Sequence, residues 1–132
     1  MASILRVNTL TDASSNNSTP MATVNQGTAK SWAHIAAGGA SLPDSFNFSS
    51  IDDDGTGEYG LNYTSAMGSV NYSANLTISF AHVSGGNNLR CFCVESKNTS
   101  SVEVDFAYSA SSIFTSYDLE LNASVTIHGD LA

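Results

Sequence analysis

Positive charge is almost missing from this chain. Among 132 residues there are four Lys and Arg together, Arg6, Lys30, Arg90 and Lys97, and they are scattered rather than grouped. Nucleic-acid binding needs clustered cations to neutralise phosphates, so it is excluded, and a net charge of −8 sets the chain against an anionic membrane surface as well. Charge of either sign is scarce, at 12% of residues against about 25% in ordinary domains. Long apolar runs are missing too. No stretch approaches the ~20 residues of a membrane span, so no membrane insertion is expected. Met1-Ala2-Ser3-Ile4-Leu5-Arg6-Val7 lacks the apolar core of a secretory leader, so synthesis in a cytoplasm is expected. On that reading the Asn-x-Ser/Thr tripeptides, at Asn16 and Asn62 for instance, reflect composition rather than glycosylation.

Catalytic signatures are equally scarce. The chain holds no Gly-x-Ser-x-Gly, no Gly-rich loop with Lys and no His-Glu-x-x-His. His34, His82 and His128 are spread without metal-ligand spacing. With so many serines available, a triad assembled from one Ser, one His and one Asp carries no specificity. The expectation is a non-enzymatic module with no cofactor and no metal.

What fills the chain is Ser, Thr, Asn and Gly between alternating apolar residues. Small polar side chains favour turns and solvent-facing strand positions over exposed helices. Phe46 and Phe48 alternate with polar residues up to Ile51; Tyr59, Leu61 and Tyr63 alternate on the return. The intervening Asp52-Asp53-Asp54-Gly55-Thr56-Gly57 is a turn signal, and the whole reads as a hairpin. Tyr72 to Phe80, the run Leu89 to Val94, Val102 to Tyr108 and Tyr117 to Ile127 supply further strands, the last with strict alternation over eleven positions. Lys30 to Ile35 reads as one more strand, closed by Gly38-Gly39, and Ser3 to Leu10 as a short one. Only residues 21–33 offer a short helix.

The fold expected is all-β: an antiparallel β-sandwich or jelly-roll-like domain over residues 41–132. Residues 1–40 form an extended N-terminal arm that serves docking and oligomerisation. Within that arm, Asp12 to Pro20 has no large apolar side chain and reads as a loop.

Two local features have a chemical reading beside a plain one. The acids Asp52, Asp53, Asp54 and Glu58 around Gly55 and Gly57 offer oxygens to calcium, yet they do not follow the EF-hand order; the plain reading is a solvated hairpin tip. Cys91 and Cys93 point to one face of a strand and make half of a soft-metal site without an evident third ligand; the plain reading is two small buried apolar groups.

Three segments carry a family resemblance: Arg6-Val7-Asn8-Thr9-Leu10-Thr11-Asp12, Gly27-Thr28-Ala29-Lys30-Ser31-Trp32, and Asp44-Ser45-Phe46-Asn47-Phe48 running through the acidic hairpin to Tyr59. They resemble segments of small virion proteins of tailed bacteriophages, many of them phages of marine bacteria and cyanobacteria. The likeness covers about residues 1–65 and weakens beyond; it departs at Ser31 and in the shortened Ala36 to Ala40 stretch. It implies a tail-fibre or adhesin-type structural protein at the virion surface, usually a homotrimer, whose N-terminal part docks to other virion proteins. The displayed β-domain then contacts a host-surface glycan or protein. The alternatives are a capsid decoration or head-fibre protein bound to the capsid lattice and, less favoured because of the chain's size, a glycan depolymerase. Leu5, Val7, Trp32 and Ile35 are the expected assembly contacts. Asp52, Asp53, Asp54, Asn87 and Asn88 are the expected recognition loops.

Overall fold

The computed structural model describes residues 6–39, 41–79, 89–110, 113–119 and 122–132. The chain is all-β with antiparallel pairing throughout the described strands. In order they are β1 (Thr9–Thr11), β2 (Ser18–Pro20), a short helix α1 (Met21–Gly27), β3 (Ser31–Ile35), β4 (Asp44–Phe46), β5 (Phe48–Gly55), β6 (Glu58–Tyr63), β7 (Ser73–Ile78), β8 (Leu89–Lys97), β9 (Ser101–Ala110), β10 (Ile113–Ser116) and β11 (Ala123–His128).

One sheet of four strands runs β4-β3-β11-β7. A five-stranded sheet has β9 at its centre, and β1 pairs with β2 in a separate two-stranded sheet. Along one side of β9 lies β8; along the other, β6 covers Ser101–Asp105 and β10 covers Ala107–Ala110, with β5 beyond β6. Phe106 sits at the join, where its N–H donates to the Gly57 carbonyl (2.9 Å) and its carbonyl accepts from the Tyr117 N–H (3.1 Å). The ladder therefore continues through the gap between β6 and β10.

Period-two patterning explains the core. Tyr59 and Leu61 on β6, Val102, Val104 and Phe106 on β9, Ala33 and Ile35 on β3, and Ala123, Val125 and Ile127 on β11 all point inward and belong to a single buried cluster. Burying each Val, Leu, Ile or Phe contributes about 1.5–3 kcal/mol. Tyr59 packs edge-on against Phe106 (5.5 Å between centroids), and Phe92 stacks on the same ring from β8 at 4.0 Å.

Several expectations need correction. Ser31–Ile35, grouped with the arm, lies between β4 and β11 in the four-stranded sheet, and the Lys30 N–H donates to the Ile127 carbonyl (2.8 Å). The break between core and N-terminal segment thus falls near residue 29 rather than 40. Of the early strand expected over Ser3 to Leu10, only Thr9 and Leu10 pair, in β1, while residues 3–5 lie outside the described residues. Residues 12–17 do form a loop, closed by Asp12, whose carboxylate accepts from Ser14, Asn16 and Asn17. The Tyr117 to Ile127 run is not one strand. Regular pairing starts at Ala123, and Leu119 is buried from irregular backbone whose N–H donates to the Tyr59 hydroxyl (3.1 Å). Alternation there marks which side chains are covered, not how the backbone pairs.

The chain changes sheets at Asn47. Its φ of 58° is left-handed, a conformation Asn tolerates better than most residues. Its amide pins the corner: Nδ2 donates to Ser31 Oγ and to the Ser65 carbonyl (both 3.1 Å), and Oδ1 accepts from the Ser65 N–H at 2.7 Å. Phe46 and Phe48 therefore do not share a face. Phe48 is buried and stacks on Tyr63 (5.0 Å), whereas Phe46 is 51% exposed.

Candidate functional site

Of the residues expected in assembly contacts, Val7 and Trp32 are partly exposed, at 38% each, and Leu5 lies outside the described residues. Ile35 is fully buried in the core and has no surface to offer a partner. Odd positions of β3 point inward, so Trp32 and Ile35 fall on opposite sides of one strand. Trp32 acquires a neighbour that alternation concealed. It stands opposite Phe46 on β4 in register, and both aromatic side chains are exposed on the outer face of the four-stranded sheet. Thr126 and Asn75 continue that row across β11 and β7.

Asn87 and Asn88 lie outside the described residues. Asp52, Asp53 and Asp54 are exposed, but on the edge strand β5 rather than in a loop. The hairpin turns at Thr56–Gly57, one step later than the acids. That tip is docked rather than free: the Gly57 N–H donates to Asp118 Oδ1 (3.1 Å), and Gly57 is buried against β9. Gly57 has φ of +81°, and a Cβ there would stand 2.6 Å from the Phe106 carbonyl oxygen and 2.7 Å from that of Tyr117.

The acids group on the outer face of the β9 sheet. Asp54 and Glu103 fold together over Gly60, each with a carboxylate oxygen 2.9 Å from where a Cβ at residue 60 would sit. Burial pushes the Glu103 acid above its ordinary range; the bond from Ser101 Oγ (3.0 Å) opposes this and the charge of Asp54 adds to it. Asp52 is tied down by Asn62, whose Nδ2 donates at 2.6 Å. Among the described residues no group of three or more His, Cys, Asp or Glu side chains is arranged to hold a metal ion. Cys91 and Cys93 are not buried as expected. Both face outward on β8, Cys91 half-covered and Cys93 exposed, because the inward position between them is taken by Phe92. Burial of its sulfur and the nearby Asp105 push the Cys93 thiol up, which disfavours the thiolate that metals and electrophiles require.

The corner at Asn47 opens a cleft of about 310 Å³ at the edge where the sheets part. Four serines, Ser41, Ser45, Ser49 and Ser50, line it together with Leu42, Phe48 and Ile51. Sequence reading passed over these serines because Ser is everywhere in the chain. Asn47 between two phenylalanines was the only local signal that the chain changes direction there.

Comparison of the chain with protein-family models, with curated proteins and with solved structures returns no match.

Proposed function

We propose that this chain is a virion structural protein of the tail-fibre or adhesin type. It is non-enzymatic, oligomeric with a homotrimer favoured, and displayed at the particle surface, where its β-domain contacts the host. Besides the resemblance of its first half, one observation carries this reading. Residues 6–20 are exposed throughout, α1 buries no residue, and Val7 and Leu10 present apolar surface beside a β1–β2 hairpin that adds nothing to the core. A hairpin of two three-residue strands and a seven-residue helix are marginal by themselves. A partner surface covering Val7 and Leu10 supplies the burial they lack, as expected of a segment that docks onto a larger assembly. Acidic net charge without cation clusters suits dense display through mutual repulsion.

The exposed Trp32–Phe46 pair favours a second reading, in which that sheet face clips onto a capsid lattice as a decoration or head-fibre protein. Electron cryomicroscopy of the intact particle separates the two. Density for this chain at the tail tip supports the first reading, density repeating over the capsid lattice supports the second, and particles lacking the chain overturn both.

A further inference from the structure

We infer that the corner cleft between β4 and β5 is a binding site for a neutral saccharide. The inference rests on the proposed surface-attachment role only for its biological use; the chemistry stands on the cleft itself. Its volume of about 310 Å³ lies at the small end of ligand sites, which span about 300–1,000 Å³. That suits one sugar unit or a short oligosaccharide rather than a peptide or a nucleotide.

The lining matches such a ligand in three respects. First, its polar groups are hydroxyls, each able to donate and accept, as the hydroxyls of a sugar do. Second, two of them are pre-set by the protein. Ser49 Oγ donates to the Asn62 carbonyl (3.2 Å) and so offers lone pairs outward, whereas Ser50 Oγ accepts from Asn62 Nδ2 (3.0 Å) and keeps its proton for a ligand. Among the described residues, Ser41 and Ser45 hydroxyls bond to no protein group and can turn to suit either role. Third, Leu42, Phe48 and Ile51 in the same lining leave a little apolar surface for the C–H edges of a sugar.

Charge selects against acidic sugars and phosphates. No Lys or Arg lines the cleft, and the exposed acids Asp44 and Asp52 flank Ser45 and Ile51. The walls are held in place by backbone pairing of β4 to β3 and of β5 to β6 and by the Asn47 corner, so little ordering is needed on binding.

The test is a ¹⁵N-resolved titration of the full chain with the methyl glycosides of glucose, galactose, mannose and N-acetylglucosamine, and with glucuronate as the acidic probe. At least one neutral glycoside is expected to move the amides of residues 41–51 saturably, with Kd on the order of 1 mM, while glucuronate does not. Ser45→Leu, which fills the cleft, is expected to abolish the shifts. The gentler Ser41→Ala/Ser45→Ala pair is expected to weaken binding by roughly tenfold with the remaining spectrum unchanged. Overturning results are an absence of saturable shifts with all four glycosides, shifts that survive Ser45→Leu, or shifts confined to the Trp32–Phe46 face. Antibody labelling of particles makes the two failures distinct. A chain found on the particle that binds no sugar defeats the cleft assignment alone; a chain that binds sugar but is missing from particles defeats the attachment role alone.

Discussion

Tyr59 and Tyr63 lie four residues apart on one strand and face the same side, yet their hydroxyls have different fates. The Tyr59 hydroxyl accepts from the Leu119 N–H and so anchors the irregular segment after β10. The Tyr63 hydroxyl is buried and has no hydrogen-bond partner among the described residues, while that of its neighbour Tyr72 points to the Ser101 and Asn98 carbonyls at 3.1 and 3.2 Å. Burial, and then the nearby Tyr72, push the Tyr63 phenol far above its ordinary range, so it stays neutral. Tyr63→Phe is therefore expected to leave stability unchanged or raise it, because a desolvated hydroxyl without a partner is removed. Tyr59→Phe is expected to cost about 1 kcal/mol or more. Urea unfolding of the two variants checks the contrast, and equal losses would refute it. Glu103 supplies a second residue-scale expectation. Its folded-state value is raised, first by burial, so the folded chain holds this proton to higher pH than the unfolded chain does. Its contribution then opposes folding fully above the raised value and vanishes below the ordinary Glu value, so stability falls as pH rises through that window. Glu103→Gln keeps an acceptor for Ser101 and ends the repulsion with Asp54. It is expected to raise Tm at pH 7, with the advantage over the parent shrinking toward zero as pH falls below 4.5, the ordinary Glu value. Melting curves across pH provide the check.

At the scale of elements, the acidic run Asp52-Asp53-Asp54 has a structural job whatever it binds. It lies on β5, which among the described residues is paired on one side only. The register breaks before the run, between Phe48 and Ser50, and again within it at Asp54, between Asp53 and Gly55. Charge and irregularity together keep an open edge from pairing with another chain. Replacing the three aspartates with Thr, a better strand former, is expected to leave the hairpin intact and to promote self-association, seen as larger species by light scattering at low salt. A variant that stays at the parent's molecular size would show that the charges are not needed for this. The hairpin was readable from Phe48 to Tyr63, although Phe46 belongs to the other sheet, and of the turn signal Asp52 to Gly57 only its last two residues turn. An Asp-Gly step looks like the tip in sequence, whereas contact of Gly57 with Phe106 and Tyr117 selects the next two residues. Likewise, nothing local in Tyr117 to Leu121 reveals that β9 has a vacancy beside it, which β6 and β10 fill end to end.

For the whole molecule, the division of the chain matters most. Two sheets share one core that begins at Ser31, and residues 6–29 bury nothing in it. Deleting residues 1–29 is expected to leave a cooperatively unfolding β-domain with a Tm close to the parent's, and to abolish incorporation into particles. Extending the deletion through Ile35 removes a strand paired on both sides and is expected to prevent folding. Circular dichroism with thermal melts reads both outcomes; a shorter truncation that unfolds would place the segment within the folding unit.

The all-β class, most strand positions and the hairpin followed from sequence alone, because the period of side-chain alternation is a local property of extended backbone and survives in any environment. Which face of a strand is covered, where a turn closes and what meets at a surface depend on contacts between residues far apart in the chain. Trp32 gained Phe46 in this way, the cysteines turned outward, and scattered serines converged on one cleft. For Phe46 and the serines the physical reason is the corner at Asn47. A reversal of φ at one residue sends the next side chain to the other side of the molecule, and the alternation of polar and apolar residues contains no record of it.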